Sequence, residues 1–354
     1  MDLASNIVTM LVMKKLQMNL IVALISMIGW CFFYQIEITH AAAGMPVAAQ
    51  LTVPANNKTN QPILDVDVQP QTVVHFGIKL QNLTSHPLQV QLLPGVAQTD
   101  STGNINLVSL KDARKNMDSS WKYNVQQLGL SVQKVRLQSK QKLVVPLSLT
   151  APNYRGTIAG AVIVQYIPPK AKHGTSNQLQ FASELLLNVG DYTTIVPQIK
   201  LGAISLQAGG TPQVIAPVHN QRPVYYGGRA VSYRAQIYRA DRRMLHKLNL
   251  PNASLAANSI CNLSIPWGNQ AVHPGRYLLK LRVQAGGQTW HLQRWFNVSF
   301  AQARQLNQAN PNLQRNPWIF RILIIGVFIL FLIVFLTLVF VYAKHKGLKS
   351  RKNN

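Results

Sequence analysis

Alternating apolar and polar residues mark short β-strands along most of the chain. Residues 74–80 carry Val, Phe, Ile and Leu at their even positions, and similar faces recur within 143–149 and 158–166. This period of two indicates a strand with one buried face. No window before residue 190 shows a long amphipathic helix. The pattern predicts an all-β sandwich over residues 51–190, after a short extension at 44–50.

The alternation continues in a second block with different residues. Within 277–283, Tyr, Leu, Leu and Val alternate with Leu, Lys and Arg, and Gly286-Gly287 follows soon after. Two adjacent glycines supply the positive φ angles of a tight hairpin turn, so the chain should return as a partner strand. The pattern therefore predicts a second β-sandwich over residues 191–300. The expected fold class is all-β, with two tandem immunoglobulin-like β-sandwich domains.

The chain after residue 300 changes character twice. Residues 301–317 are rich in Asn and Gln, which predicts a polar stalk of at most about 50 Å. Residues 322–343 hold no charge and are long enough to cross a bilayer, so a transmembrane helix is predicted at 318–343. The tail at 344–354 contains five Lys or Arg residues and no acid, which places it in the cytoplasm.

The N-terminal segment has the three parts of a secretory signal peptide. Lys14 and Lys15 precede an apolar run, and three alanines ending at Ala43 follow it. We therefore expect a signal peptide over 1–43, cleaved after Ala43, with an uncleaved anchor as the alternative. Only Cys261 would remain in the exported region, which precludes an intramolecular disulfide there and favours a bacterial envelope protein.

The charge balance is strongly basic. The chain has 35 Lys plus Arg against 10 Asp plus Glu, and residues 44–317 hold 27 and 8 of them, a net charge of +19. A surface this basic attracts wall polyphosphates, acidic glycans, lipid headgroups or nucleic acid, and a generic attraction of this kind is one hypothesis for the whole protein. No nucleic-acid-specific motif accompanies the charge.

No catalytic motif is recognisable. The sequence lacks His-Glu-x-x-His, Gly-x-Ser-x-Gly, a phosphate-binding loop and a Cys-x-x-Cys pair. Asp65 and Asp67, two residues apart on one strand face, leave a cell-wall hydrolase or transferase as an alternative, although an exposed acidic strand end is the simpler interpretation. Beyond Asp191 the only carboxylate side chain is Asp241. The sequence predicts a protein that is not an enzyme and binds no cofactor or metal.

Candidate binding residues concentrate in the second block. Arginines from 222 to 247 are interleaved with tyrosines, and arginine presents a planar fork that suits phosphate or carboxylate. Tyr and Arg are also enriched in protein interfaces. A solvated strand face with its aromatics in the core is the alternative interpretation. The predicted partner-binding residues are Arg222, Arg229, Arg234, Arg239, Tyr233 and Trp295.

Sequence segments in both blocks resemble the WxL-interacting proteins of Gram-positive bacteria. VVHFGIKLQNLTSHPLQVQL, QTDSTGNINL and APNYRGTIAGAVIVQY resemble their peptidoglycan-binding domain, and LPNASLAANS and HPGRYLLKLRVQAGGQTWHLQRWFNVSF resemble their host-binding domain. The resemblance implies a membrane-anchored adaptor at the cell surface. Its implied partners are peptidoglycan, secreted WxL-domain proteins and host extracellular-matrix protein. A short stalk would favour binding between membrane and wall over direct contact with a host.

Overall fold

The computed structural model describes residues 45–113, 116–168, 179–313 and 317–350. The predicted signal peptide and its cleavage site lie outside the described residues, as does the end of the predicted cytoplasmic tail.

Strands make up most of the described chain. In chain order β1 to β17 are Val47–Thr52, Leu64–Val68, Val73–Asn82, Leu88–Thr99, Ile105–Ser109, Gln133–Leu137, Lys142–Thr150, Gly156–Ile167, Gln180–Val189, Ile199–Leu201, Ser205–Gln207, Gln213–Asn220, Tyr226–Arg239, Met244–Leu255, Ile260–Pro266, Gly275–Ala285 and Gln288–Val298. The helices are α1 Leu110–Ala113, α2 Phe300–Ala309 and α3 Pro317–Ser350, with a short 3-10 turn at Tyr192–Thr194. The fold is therefore mostly β, as the alternation predicts.

The first domain consists of two sheets. A three-stranded sheet has the order β1-β3-β7 and is antiparallel throughout. A six-stranded sheet has the order β2-β9-β8-β4-β5, with β6 also pairing with β4. The pair β2–β9 is parallel, and the other pairs in this sheet are antiparallel. The even-numbered residues of 74–80 and the odd-numbered apolar residues of 145–149 are buried, which confirms the predicted faces.

Strand β8 is buried on both faces along most of its length, although its sequence suggested one principal face. It lies between β4 and β9 in the middle of the six-stranded sheet. On its second face, Ala159 packs with Ala97 and Leu186, and with Ala257 of the second domain. Small side chains at these positions let the sheet approach the second domain closely.

The second domain also consists of two sheets, and one apolar core lies between them. One sheet has the order β10-β12-β11 with β15 on the other edge of β12, and the other has the order β14-β13-β16-β17. Val218 and Leu263 of the first of these sheets belong to the same buried cluster as Tyr233 and Leu281 of the second. This is a sandwich of two sheets. Its assignment as immunoglobulin-like stays a prediction, as it does for the first domain.

The predicted hairpin turn is confirmed, and a second turn is held by an aspartate. Gly286 and Gly287 have φ angles of 54° and 76° and connect β16 to β17. In the turn between β4 and β5, the Asp100 carboxylate accepts hydrogen bonds from the backbone N–H groups of Thr102 at 2.8 Å and Asn104 at 2.9 Å. Gly103 in this turn has a φ of 79°.

Buried hydrogen bonds join the two domains. The Thr99 hydroxyl oxygen accepts from the Ala256 N–H at 2.8 Å and lies 3.1 Å from the Ser259 hydroxyl. The Thr157 N–H donates to the Pro223 carbonyl at 2.8 Å. Because an unmade hydrogen bond at a buried polar group is costly, these pairs fix how the domains contact each other.

The segment predicted as an extended stalk begins instead as helix α2. Ser299 caps it, with a reciprocal bond between Ser299 and Gln302 that forms a capping box. Ala303 and Leu306 are buried in the core of the second domain, and the Asn307 side chain makes two hydrogen bonds to the backbone of Val272. The stalk prediction was wrong for 301–309, because the cap and the burial of Ala303 and Leu306 outweigh the polar composition.

Helix α3 contains the predicted membrane segment. Residues Arg321–Leu338 form a stretch of mean hydropathy 2.9, long and apolar enough to cross a membrane. The side chains described within this stretch are exposed, as expected for a surface that lipid would cover.

Candidate functional site

The outer face of the sheet β14-β13-β16-β17 presents rows of polar and basic side chains. Antiparallel pairing puts residues of four strands side by side, and alternate residues share a face. One row contains Asn249, Arg234, Arg282 and His291, and the next contains Lys247, Gln236, Lys280 and Gln293. We call these eight residues the basic sheet face.

The basic sheet face is concave, and its positive charges have no acidic partners among the described residues. A shallow cleft of about 590 Å³ is lined by six residues of these rows, including Arg234, Lys280 and Arg282, and by Leu281 and Leu292. No Asp or Glu occurs on any of its four strands. None of its cations forms a salt bridge within the described chain. The face is therefore a concentrated patch of positive potential.

Aromatic rings hold two cations at one end of this face. The Lys280 ammonium lies 5.1 Å from the ring centroid of Tyr238, and the Arg276 guanidinium lies 4.4 Å from that of Trp295. Such cation–π contacts orient a flexible side chain without neutralising its charge. In the middle of the face, Nε of Arg282 is buried and has no hydrogen-bond partner among the described residues.

The structure separates the six residues predicted from sequence. Arg234 lies in the centre of the basic sheet face, and Trp295, with an exposed fraction of 46%, lies at its end. Arg239 is exposed at the end of β13. Arg229 is exposed beside an irregularity in the β13–β14 pairing, and Arg222 is exposed in the connection between β12 and β13. These last three do not join the basic sheet face.

Tyr233 was predicted to contact a partner, but it belongs to the core. Its exposed fraction is 0%, and it packs among the buried residues between the two sheets of the second domain. Burial also raises the pKa of its hydroxyl well above the ordinary value. The prediction fails because Tyr233 has the inward parity of Val231 and Ala235, whereas Arg234 has the outward parity.

Sequence reasoning missed the second half of the basic sheet face. Lys280 and Arg282 lie on β16, more than 40 residues beyond Arg234, and were assigned only as the polar side of a hairpin strand. The register that places Arg282 opposite Arg234 joins two separate parts of the chain. The available signal was the alternation of Lys280 and Arg282 with buried leucines.

A second concave region lies between the first and second domains. It is a groove of about 440 Å³, whose lining includes Lys58, Asp65, Asn188, Tyr192 and Tyr225. The Asn188 amide donates to Asp65 at 2.8 Å and to Asp67 at 3.1 Å, and Lys58 pairs with Asp67 at 2.9 Å. Both carboxylates of the hydrolase alternative are thus engaged within the fold.

Near this groove, Tyr225 of the second domain donates a hydrogen bond of 2.5 Å to the Glu184 carboxylate of the first. Burial raises the pKa of Glu184, and the hydrogen bond from Tyr225 opposes this shift only in part. Burial, together with the nearby Glu184 charge, raises the pKa of Tyr225 as well. This hydrogen bond joins the two domains, and it engages both the Tyr225 hydroxyl and the Glu184 carboxylate within the fold.

The first domain has an aromatic cluster at the same junction. The rings of Tyr123 and Tyr154 meet edge to face with centroids 5.1 Å apart, and Trp121 lines the same small depression. All three side chains are half-buried. Burial raises the pKa of Tyr154 to about 12. Among the described residues no group of His, Cys, Asp and Glu could hold a metal ion.

Comparison with known families assigns both halves of the chain. Residues 48–166 match the WxL Interacting Protein peptidoglycan binding domain, and residues 170–308 match the WxL Interacting Protein host binding domain. The chain belongs to the WxL-interacting protein family. The order of the two domains is the one that the sequence resemblance implies, and both families are binding domains. The second match begins before β9, which the structure pairs with β2 and β8 of the first domain.

Other comparisons add little to this assignment. A comparison with curated proteins finds no match. Among solved structures, the E. coli chaperone DraB is 12% identical, with 72% of this chain and 98% of that chain covered and a TM-score of 0.28. The class 5 fimbriae chaperone CfaA is 9% identical, with 70% and 98% covered and a TM-score of 0.28. TM-scores this low do not bear on the function of this WxL-interacting protein.

Proposed function

We propose that this WxL-interacting protein is a non-catalytic, membrane-anchored adaptor of the Gram-positive cell surface. Its first domain binds peptidoglycan, and its second domain engages protein partners. The observation that carries the proposal is the tandem match of a peptidoglycan binding domain and a host binding domain to adjacent parts of one chain. WxL-domain proteins are the proposed secreted partners, on the strength of the family name, and host matrix protein is a further one.

The aromatic cluster of Trp121, Tyr123 and Tyr154 is the proposed contact for the wall glycan. Half-buried aromatic rings offer apolar area at little entropic cost together with polar edges, which suits the faces and hydroxyls of sugars. Lys122 and Arg155 are exposed beside these rings and could meet the carboxylates of peptidoglycan stem peptides.

Helix α3 is the proposed membrane anchor, with the second domain outside and the C-terminus in the cytoplasm. Because α2 packs on the second domain, only the seven residues 310–316 separate it from α3. Even fully extended, seven residues span no more than about 25 Å. This short connection supports a role between membrane and wall. N-terminal sequencing of the mature protein would test cleavage of the signal peptide after Ala43.

Binding of the full-length chain, purified in non-ionic detergent, to isolated walls tests the first-domain proposal. The walls are first stripped of phosphodiester-linked polymers, so that peptidoglycan alone remains. We expect retention of the wild type and a loss of at least tenfold for Tyr154→Ala. Tyr166→Ala, which changes a half-buried tyrosine of the same domain outside the cluster, is the matched control. If stripped walls do not retain the wild type at moderate salt, the first domain does not have this role.

Partner binding by the second domain needs a separate experiment. Crosslinking in intact cells, followed by identification of the attached proteins, should recover secreted WxL-domain proteins. Recovery of membrane or cytoplasmic proteins alone would contradict the adaptor role.

A further inference from the structure

We propose that the basic sheet face of the second domain binds a linear polyphosphodiester of the cell wall, of the teichoic-acid type. This ligand class goes beyond the peptidoglycan and protein partners of the proposed function, and the face lies apart from the aromatic cluster. The proposal rests on the arrangement of Arg234, Lys280 and Arg282 in one cleft.

The sheet spaces these charges at regular intervals. Arg234 and Arg282 are direct cross-strand partners, about 5 Å apart in backbone position, and Lys280 lies two residues from Arg282, about 7 Å along the strand. Lys247 extends the second row to β14, and His291 extends the first row to β17. A chain that carries a phosphate at every repeat can meet several of these cations in succession. Arginine forks bind phosphate oxygens in pairs.

Nothing within the described protein compensates these charges. Like charges directly opposite each other on neighbouring strands destabilise a sheet, and Arg234 and Arg282 occupy such positions. No carboxylate lies on the four strands, and Nε of Arg282 has no partner in the described chain. A bound polyanion would relieve the repulsion between Arg234 and Arg282.

The composition of the face favours a polymer over a protein or a bilayer. Although Arg is common in protein interfaces, Lys is depleted at their centres and buried apolar anchors are needed, whereas three uncompensated cations line this centre. The exposed large apolar side chains of this sheet, Met244 and Trp295, lie in the row at the end of the face. The cations line a concave cleft, which a single chain can enter and a flat bilayer surface cannot.

Binding of the full-length protein in non-ionic detergent to defined poly(glycerol phosphate) tests the proposal. The test variant is the triple change Arg234→Gln, Lys280→Gln and Arg282→Gln. The matched control is Lys200→Gln, Arg242→Gln and Arg243→Gln, which removes the same charge from exposed positions of the same domain outside the face. We expect the test variant to bind at least tenfold more weakly at 0.15 M salt and the control to bind within about twofold of wild type.

Salt dependence and competing ligands provide further readouts. For single-stranded polyanions, each phosphate contact contributes roughly 0.7 to the slope of log affinity against log salt. Because the test variant removes three cations, the magnitude of its slope should be smaller than that of wild type by about 2. Polyglutamate and phosphatidylglycerol vesicles serve as probes for an acidic protein segment and for a lipid surface. The proposal expects wild type to bind both at least tenfold more weakly than poly(glycerol phosphate).

Isolated walls distinguish this proposal from the adaptor function. Intact walls should retain the wild type more strongly than stripped walls, and the triple change should abolish that difference without reducing binding to stripped walls. If stripped walls fail to bind but the polymer binds, the first-domain proposal fails and this one stands. Equal weakening by the test and control variants, or binding of polyglutamate or vesicles as strong as that of the polymer, would overturn it.

Discussion

Oδ2 of Asp118 in the first domain lies 2.7 Å from Nδ1 of His219 in the second domain. The Asp118 side chain is 2% exposed, and it also accepts a hydrogen bond from the Ser120 N–H at 2.9 Å. Burial alone would raise the pKa of Asp118, but the hydrogen bonds from Ser120 and His219 outweigh it, so the pKa is lowered. The junction therefore depends on an ionised carboxylate.

Asp118→Asn should destabilise the protein by about 2 kcal/mol, the range for loss of a hydrogen bond to a charged group. Because the pKa of Asp118 is lowered by folding, the carboxylate stabilises the fold above the unfolded value of about 4, and this contribution is lost as the pH falls through the lowered pKa. Thermal unfolding from pH 6 down to pH 2.5 measures the effect. Below about pH 4, the melting temperature of the variant should decline less steeply with falling pH than that of wild type. Parallel curves would argue against this role of the Asp118 carboxylate.

Gly156 is a position where the junction tolerates no side chain. It has a φ of 135°, and a Cβ added there would lie 2.4 Å from Cγ of Pro223 in the second domain. Gly156→Ala should cost about 2 to 4 kcal/mol through backbone strain and overlap. Gly209→Ala, where a Cβ would meet nothing within 4 Å, is the control and should change little. Urea unfolding of both variants gives the comparison, and equal stabilities would show that the junction is looser than described.

Leu306 tests whether residues 300–309 are a packed helix or a stalk. Its exposed fraction is 3%, whereas the neighbouring Gln305 is exposed. Leu306→Ala should lower the free energy of unfolding by about 2 to 3 kcal/mol, as for a buried leucine in a core. Gln305→Ala should leave it within about 0.5 kcal/mol. If Leu306→Ala left the free energy of unfolding in denaturant unchanged, the stalk interpretation would be restored.

The Arg282 side chain should lower the stability of the fold or leave it unchanged, although it contributes to binding of the polymer. Removing one member of the like-charged pair with Arg234 relieves repulsion, so Arg282→Gln should unfold with the same free energy as wild type or one up to about 0.5 kcal/mol higher. Thermal unfolding at low salt shows the gain best, because salt screens exposed charges. A loss above about 1 kcal/mol would mean that Arg282 has a structural role.

Local sequence patterns predict a turn or strand correctly where a single conformational preference acts over a few residues. The glycine pair at 286–287 predicts its hairpin because positive φ is a property of the turn itself. The turn at Asp100 is local in the same way, because its carboxylate accepts hydrogen bonds from the backbone that follows it. Helix α2 escaped prediction because its stability comes from a cap and from Leu306 packing on distant strands.

The candidate site could be predicted only in part. The outward parity of Arg234 and Trp295 is visible in the sequence, and so is the inward parity that Tyr233 shares with Val231 and Ala235. Lys280 and Arg282 joined Arg234 through the register of β13 with β16, which residue order does not contain.

The sequence by itself determined the β-rich class, the apolar C-terminal helix, the scarcity of carboxylates after Asp191 and the family, because composition, period and residue order are local properties of the chain. Tertiary structure alone decided that Asp118 meets His219, that Asp65 and Asp67 are engaged by Asn188 and Lys58, and that three cations share one cleft. These contacts join residues far apart in sequence, and only the packing of sheets and the pairing register bring such residues together.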